Sequence, residues 1–300
     1  MKRLKIKGID EEKCINCEKC IPSCSVRLFE VHRESEIEKK IVFNDPYGLC
    51  FRCGHCITIC PTDAIIYENA EPPFIFEEAK NPEKILSYNS LMKLIRSRKS
   101  IRVYQEKSIP KEEIEAVLEA MRYSPSASNR QRIEYTVITD KKKIATLSKE
   151  IIGLMLKARF ALKLKYLLVP FVKGALRRRL LSPKTKYNLD MLVERTERGD
   201  DLIFFHAPCV IIAHSPPYSR MSGVDGGIAV THGTFAALTL GLGTCWNGFA
   251  QEYFARSMRA KKKWGIPKQH NVYGVFILGY PDIKFLGGAP RRPLKVNWMN

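Results

Sequence analysis

The stretch that decides the fold lies near the start of the chain, where CINCEKCIPSC (residues 14–24) is matched in spacing by CFRCGHCITIC (residues 50–60). In both runs three cysteines are each separated by two residues, and a fourth cysteine follows after three more. The two runs contain eight of the ten cysteines of this 300-residue chain. Such spacing is typical of thiolates that converge on an iron–sulfur cluster.

Each predicted cluster takes three thiolates from one run and the fourth from the other run, as in two-cluster ferredoxins. Pro61 follows the second run as that pattern requires, whereas Ser25 follows the first, which leaves the ligand set unchanged. The predicted ligands of one 4Fe–4S cluster are Cys14, Cys17, Cys20 and Cys60, and those of the second are Cys50, Cys53, Cys56 and Cys24.

Other uses of cysteine fit this pattern less well. Zinc sites use pairs of ligands separated by a longer loop. Disulfides require an oxidising compartment, and residues 1–5 are followed by charged residues rather than by the apolar core of a signal peptide. The apolar stretch at 151–181 is interrupted by lysines and arginines, so no membrane span is expected. We therefore predict a soluble cytoplasmic protein, and oxygen-sensitive clusters indicate an anaerobic or microaerobic cell.

The formal net charge of +19 is unevenly distributed along the chain. Residues 1–80 contain 12 basic and 14 acidic side chains, whereas residues 141–190 contain 14 basic and only 2 acidic ones. A basic surface attracts nucleic acid, anionic lipid or an acidic protein. Because no helix-turn-helix, zinc-finger or RNA-binding aromatic signature accompanies the charge, nucleic acid is the least favoured partner.

The sequence predicts a small module, a linker and a larger body. The module covers residues 1–80, with short strands at 4–6 and 65–67, and the linker covers 81–90, since prolines in this region interrupt regular structure. The body covers residues 91–300 and includes a basic insertion at about 141–190.

Apolar periodicity in the body predicts helices alternating with strands. A helix is expected over residues 109–121, with Pro110 in its first turn and one apolar face formed by Ile114, Val117, Leu118 and Met121. A helix rich in small residues is expected over 226–242. Strands are expected at 135–139, 209–213 and 272–278. This alternation indicates an α+β sandwich.

Three separated segments of the body occur in a recognisable order. They are RSRKSIR (96–102), SPSASNRQ (124–131) and GLGTCWNG (241–248), followed by GYP (279–281) and RRPL (291–294). Together they resemble the nitroreductase-like flavoprotein family across residues 90–300. The resemblance implies an α+β fold in which a nitroreductase-like α/β sandwich is preceded by a small bacterial-ferredoxin-like domain, a ferredoxin–nitroreductase fusion.

The resemblance also implies FMN as the cofactor. Guanidinium groups of Arg98, Arg102 and either Arg291 or Arg292 suit its phosphate, whereas Asn129 and its neighbours suit the ring edge. In the family, a backbone N–H of the turn at residues 246–248 points at flavin N5, and glycine lets the backbone approach the ring. The predicted FMN-binding residues are Arg98, Lys99, Ser100, Arg102, Pro125, Ser126, Asn129, Gln131, Trp246, Asn247, Gly248, Arg291 and Arg292.

By the same resemblance, FMN lies at a homodimer interface, and the loop at 125–131 reaches across from the second subunit. Cys209 and Cys245 are expected to be structural, although Cys245 lies beside the N5 turn and a redox role stays open. His206, His214 and His232 are candidate proton donors, but a lone histidine is more often structural, and no catalytic residue is assigned. We interpret the basic insertion as a lid over the flavin; the alternative is a solvated insertion.

The predicted function is an FMN-dependent oxidoreductase that passes electrons from a low-potential donor, such as reduced ferredoxin, through two 4Fe–4S clusters to FMN. The acceptor is expected to be a nitroaromatic, a quinone or an activated alkene. A nicotinamide donor stays open, although no GxGxxG motif is present. Two alternatives remain: a reductase of a specialised halogenated or cofactor-like substrate, and a non-enzymatic redox sensor or electron-transfer adaptor.

Overall fold

The computed structural model describes residues 3–33, 35, 39–163, 169–171 and 173–299. The chain divides into two compact units, each with its own interior. The first unit comprises Met1–Tyr88 together with Ser126–Arg130, and the second comprises Asn89–Pro125 together with Gln131–Asn300.

The first unit is built from two short antiparallel strand pairs. Strand β1 (Lys5–Ile9) pairs with β4 (Ile65–Glu68), so the ends of this unit are joined, and β2 (Phe29–Arg33) pairs with β3 (Lys39–Phe43). The strand predicted at 4–6 is confirmed with shifted ends, since β1 begins at Lys5 and continues to Ile9, and the strand predicted at 65–67 is confirmed with one additional residue, Glu68. The β2–β3 pair was not predicted.

Two short helices of the first unit carry cysteines, α1 (Cys20–Ser23) and α2 (His55–Ile59). The hydrophobic core beside them is small. Its buried members are Ile6, Phe29, Ile41, Cys56, Ile57 and Ile65, and several of the partly buried residues packed against them are cysteines of the two runs. The thiols therefore form part of the interior of this unit.

The second unit contains a four-stranded antiparallel sheet in the order β5-β6-β8-β7. Its strands are β5 (Glu134–Ile138), β6 (Cys209–Ser215), β7 (Gly243–Trp246) and β8 (Asn271–Gly279). Its helices are α3 (Tyr88–Ser97), α4 (Lys111–Arg122), α5 (Lys141–Lys163), α6 (Gly174–Leu181), α7 (Pro183–Glu197), α8 (Ser222–Thr239), α9 (Gly248–Arg256) and α10 (Met258–Lys263).

The centre of this sheet is completely covered. Every residue of β6 is buried, and alternate residues contribute to two separate apolar clusters. One cluster includes Val210 and Ile212, and the other includes Cys209, Ile211 and Ala213. Apolar layers on both faces of one sheet confirm the predicted α+β sandwich.

The predicted elements of the body are confirmed with shifted ends. Helix α4 buries Ile114, Val117 and Met121, as its periodicity predicted, but Pro110 is the N-cap residue rather than a member of the first turn. Helix α8 begins at Ser222 rather than at Gly226 and ends at Thr239.

The linker region contains short 3₁₀ turns at Glu77–Lys80 and Pro82–Lys84, and α3 follows directly. Within the part of the chain that the structure describes, no helix is both long and apolar enough to cross a membrane.

The predicted basic insertion differs from expectation in its first part. Ile144, Leu147, Ile151 and Met155 on α5 are buried in the same cluster as Val210 and Ile212 of the sheet. Residues 141–155 are therefore core rather than a lid or a solvated insertion, because the lysines at 141–143 occupy only the exposed side of an amphipathic helix. Residues 164–168 and 172 of the segment lie outside the described residues.

Candidate functional site

The cysteines of the first unit line two separate cavities. One cavity is lined by Cys14, Cys17, Cys20 and Cys60 together with apolar side chains that include Ile41 and Ile65. The structure thus brings together three thiols of the first run and the last thiol of the second run, which is the set that the spacing predicts for one cluster.

The second cavity is lined by Cys24, Cys50, Cys53 and Cys56. Apolar side chains such as Leu28 and Phe29 cover part of its wall. Both predicted ligand sets are therefore gathered as four thiols around one space. This donor set suits a 4Fe–4S cluster, which is held by four cysteine thiolates.

Left-handed backbone shapes the two cysteine runs. Asn16, Glu18 and Arg52 have φ values of 54°, 61° and 60°, and Gly54 has 78°, where glycine is favoured. Arg27 and Asp63, with φ values of 53° and 52°, share this conformation and directly precede two of the backbone N–H groups that donate to the thiols. The N–H groups of Leu28, Arg52 and Ala64 donate to the sulfurs of Cys24, Cys50 and Cys60, at 3.4, 3.4 and 3.3 Å respectively.

Burial controls the ionisation of these thiols. Burial raises the pKa of Cys56 to about 12, and Cys53 nearby adds to the effect. The pKa values of Cys20 and Cys50 are raised mainly for the same reason. For Cys60, burial opposes ionisation, but hydrogen bonds from Ala64 and Thr62 outweigh it and lower the pKa. Four converging thiolates therefore need a compensating positive charge, which cluster iron provides.

In the second unit, the basic segment after α3 lies against strand β7. Ser100 forms a parallel bridge with Thr244, and the Ile101 N–H donates to the Thr244 carbonyl at 2.9 Å. Ile101 is buried, and a Cβ on Gly243 would lie only 2.6 Å from Ile101 Cγ1. Glycine at 243 therefore allows the segment at 98–102 to approach the strand that leads into the predicted N5 turn.

The cationic side chains of this segment are partly stacked on aromatic rings. Lys99 Nζ lies 4.9 Å from the centroid of the Phe285 ring, and the Arg102 guanidinium carbon lies 5.9 Å from the Phe205 ring. Stacking on an aromatic face restrains a guanidinium while its donors stay available. Arg98 is half-buried beside them.

Asn247 shapes the predicted N5 turn. Its side-chain oxygen accepts from the Ala250 N–H at 2.9 Å as the N-cap of α9, and its side-chain amide donates to the Ile203 carbonyl. The Asn247 N–H donates to the Val275 carbonyl at 2.7 Å. Asn247 therefore serves the fold, and Gly248 supplies the first N–H of the helix, which has no intrahelical acceptor. A Cβ at Gly248 would meet nothing within 4 Å.

The loop at 125–131 has an unusual backbone. Ser128, Asn129 and Gln131 have φ values of 53°, 46° and 48°, which non-glycine residues adopt mainly in tight turns. Residues 126–130 group with the first unit, where the Asn129 side-chain amide donates to the Arg52 carbonyl at 2.6 Å. Asn129 is thus bonded to the residue before Cys53.

The remaining predicted residues lie on accessible surface. Trp246 is 41% exposed, and its indole N–H donates to Gln251 Oε1 at 2.9 Å. Arg291 and Arg292 are exposed, and Arg291 donates to the Pro290 carbonyl at 3.1 Å. The choice between these two arginines stays a prediction.

Two residues that support this region were missed by the sequence argument. Phe205, which lies under Arg102, follows a turn organised by Asp201. The Asp201 carboxylate accepts the N–H groups of Ile203 and Phe204 at 3.1 and 3.0 Å and the Ser148 hydroxyl at 2.8 Å. An aspartate that precedes an apolar run is a usable turn signal.

The two cysteines outside the runs lie in the core. Cys209 is fully buried, which raises the pKa of its thiol to about 12. The Cys245 thiol is buried and donates weakly to the Trp246 carbonyl at 3.6 Å. Both observations agree with the expected structural roles.

Comparison with known proteins identifies both parts of the chain. Residues 95–280 match the nitroreductase family, and residues 13–64 match a 4Fe-4S dicluster domain. A protein of Archaeoglobus fulgidus, whose name describes it provisionally as an NADH dehydrogenase/NAD(P)H nitroreductase, is 28% identical over 63% of this chain and 84% of its own length.

Subunit I of the NAD(P)H-quinone oxidoreductase of Gloeobacter violaceus is 30% identical over 60 residues, which are 19% of this chain and 29% of that protein. Among solved structures, an FMN-bound nitroreductase of Desulfitobacterium hafniense shares the fold with a TM-score of 0.50 and 22% identity, over 70% of this chain and 97% of that one. The chain therefore belongs to the nitroreductase family and carries a 4Fe–4S dicluster domain ahead of the nitroreductase domain.

Proposed function

We propose that this chain is an FMN-dependent oxidoreductase that receives single electrons through two 4Fe–4S clusters and delivers them in pairs to a small organic acceptor. The observation that carries the proposal is the pair of four-cysteine cavities, present in the same chain as a nitroreductase domain. Covalent fusion keeps the effective concentration of an electron-transfer module high at its acceptor.

Each cluster is assigned to one cavity. Cys14, Cys17, Cys20 and Cys60 hold one cluster, and Cys24, Cys50, Cys53 and Cys56 hold the other. When bound, the clusters carry single electrons, and the N–H groups that donate to Cys24, Cys50 and Cys60 tune their reduction potentials.

FMN is assigned to the second unit, next to the segment at 98–102. Arg98 and Arg102 hold its phosphate with Ser100 as a further donor, since bidentate guanidinium groups match phosphate oxygens. The bridge between Ser100 and Thr244 and the open space at Gly248 support this assignment. When bound, FMN links one-electron supply to two-electron reduction.

The donor is proposed to be a low-potential acidic protein such as reduced ferredoxin, because residues 81–300 carry a formal charge of +21. The acceptor class is a nitroaromatic, a quinone or an activated alkene. We also propose a homodimer, which resemblance to the family supports. The cytoplasm of an anaerobic cell is the proposed setting, because all ten cysteines are unpaired thiols and such thiols stay reduced there.

The proposal is tested on protein purified without oxygen. We expect about eight iron atoms per chain, with matching sulfide, and about one FMN. Steady-state turnover of a nitroaromatic is then compared between reduced ferredoxin and NADH or NADPH. Fast turnover with a nicotinamide and none with ferredoxin would contradict the cluster-fed route.

The phosphate assignment is tested separately with Arg102→Gln, using Arg256→Gln as the control. Arg256 is an exposed arginine that pairs with Glu252 on α9. A hydrogen bond to a charged group contributes about 1.5–3 kcal/mol, so Arg102→Gln should weaken FMN binding roughly tenfold to a hundredfold. Equal FMN affinity in the two variants would remove Arg102 from the site.

A further inference from the structure

Two histidines and a glutamate lie close together at one end of the four-stranded sheet, on β5, on β6 and directly before β8. Glu134 begins β5 and is directly opposite His214 of β6. His270 precedes the first residue of β8, and a bulge at Ala213–His214 adjusts the pairing of β6 with β8. One donor atom from each of the three side chains lies within 4.8 Å of the other two.

The His214 ring is held in an orientation that suits a metal ligand. Its Nε2 is 2.9 Å from the Thr136 hydroxyl, and its Nδ1 is 2.9 Å from Nδ1 of His270. When the His214 Nε2–H donates to Thr136, Nδ1 carries the free lone pair and faces His270. Metal-bound histidines commonly have their second nitrogen fixed by such a partner.

The surroundings keep both rings fixed while leaving one side accessible. His214 and His270 are only 3% and 4% exposed, whereas the Glu134 side chain is 55% exposed. Lys261 Nζ donates to the His270 carbonyl at 2.7 Å and holds the backbone there.

We propose that His214, His270 and Glu134 form a zinc site, separate from the cysteine cavities, with water as the fourth ligand. Two nitrogens and one carboxylate oxygen with an open position are a common zinc donor set. Tetrahedral zinc at about 2.0–2.1 Å from nitrogen needs an Nδ1–Nδ1 separation of about 3.3 Å, so the rings separate slightly on binding. The proton shared by the two Nδ1 atoms moves to His270 Nε2, and no net proton is released by the pair.

The experiment uses full-length protein purified anaerobically with its iron–sulfur clusters intact, so that the eight ligand thiols are occupied. The protein is stripped of loosely bound metal with a chelator and titrated with Zn²⁺ against a fluorescent competitor. We expect one tight site per chain, and X-ray absorption at the zinc edge should show nitrogen and oxygen neighbours only. A sulfur shell, or no site tighter than the competitor, would overturn the proposal.

Three variants test which side chains bind the zinc ion. Glu134→Gln changes an exposed side chain and should fold normally, yet weaken zinc binding at least about tenfold, as even outer-shell changes do. His270→Gln should abolish the site, whereas His232→Gln, a histidine of α8 outside the cluster, should leave the affinity unchanged. If Glu134→Gln retains wild-type affinity, the three residues form only a hydrogen-bonded group and the proposal fails.

Discussion

The interiors of the two units of this chain differ in size and composition. In the second unit, a seven-residue strand is buried along its whole length, with apolar layers on both faces. In the first unit, the buried core consists of a few aliphatic and aromatic side chains and Cys56, and the surrounding thiols face two cavities. The first unit therefore buries far fewer apolar side chains than the second.

The difference shows where each unit obtains its folding free energy. Small domains bury too little apolar surface to be stable without a further source such as a metal. For such domains, the free energy of metal binding is part of the free energy of folding. The first unit is expected to depend on its clusters, whereas the second depends on packing. All three tryptophans (Trp246, Trp264, Trp298) belong to the second unit. The midpoint of their fluorescence change in denaturant therefore follows the unfolding of that unit.

The largest effect is expected from Cys56→Ser, which removes a proposed cluster ligand from the first unit. Because the cluster completes the interior, we expect loss of visible cluster absorption and at least about a hundredfold loss of ferredoxin-driven turnover. The tryptophan unfolding transition should stay in place. The control is Cys209→Ala, which should retain both clusters. A shifted tryptophan transition in Cys56→Ser would show that the stability of the second unit also depends on the clusters.

Phe254→Ala tests the packed interior of the second unit. The Phe254 ring is fully buried, so its removal should cost about 3–5 kcal/mol of unfolding free energy, measured by denaturant titration with tryptophan fluorescence. Cluster absorption should be unaffected before unfolding begins. Phe249→Ala on the same helix removes a ring that is 53% exposed and should change stability by no more than about 0.5 kcal/mol.

Two adjacent glycines of α8 allow the contribution of packing to the stability of the second unit to be measured separately from helix propensity. A Cβ at Gly226 would lie 2.5 Å from Tyr273 Cβ, whereas a Cβ at Gly227 would meet nothing within 4 Å. Gly226→Ala should therefore destabilise the second unit by about 1–3 kcal/mol. Gly227→Ala should stabilise it by about 0.5–1 kcal/mol, since alanine favours helix. Similar denaturation midpoints for the two variants would mean that this packing is loose.

The helix cap in the predicted N5 turn is expected to have an effect of similar size. Asn247→Ala removes the N-cap of α9 and the donor to the Ile203 carbonyl, and we expect a loss of about 2 kcal/mol. Ser257→Ala removes only the N-cap bond of α10, at 3.0 Å, and should cost about 1 kcal/mol. Equal losses in denaturant titrations would show that the Ile203 bond contributes nothing.

The sequence allowed prediction of features that depend on local pattern. The cysteine spacing predicted both four-thiol sets, because cluster chemistry permits few arrangements. The run at 209–213 predicted β6, and the helical periodicity of residues 114, 117 and 121 predicted the buried face of α4. In each case, the residues that decide the structure lie close together in the chain.

Features that depend on distant pairing could not be predicted in this way. Strand β7 has only four residues, and its sheet position is fixed by its register with β8 rather than by its composition. His214 contacts His270, 56 residues away, because β6 pairs with β8. The lysines of α5 make the segment look like a basic surface insertion in the sequence, although its apolar side chains pack in the core.

The strand order β5-β6-β8-β7 has a consequence for biosynthesis. The last strand of the sheet in chain order, Asn271–Gly279, occupies an inner position, so β7 has no strand partner in the sheet until β8 has been made. Nascent domains generally fold as units in the order of their synthesis. We expect the cysteine-rich unit to be available for cluster insertion before β8 has been made, and flavin loading to wait until β8 completes the sheet.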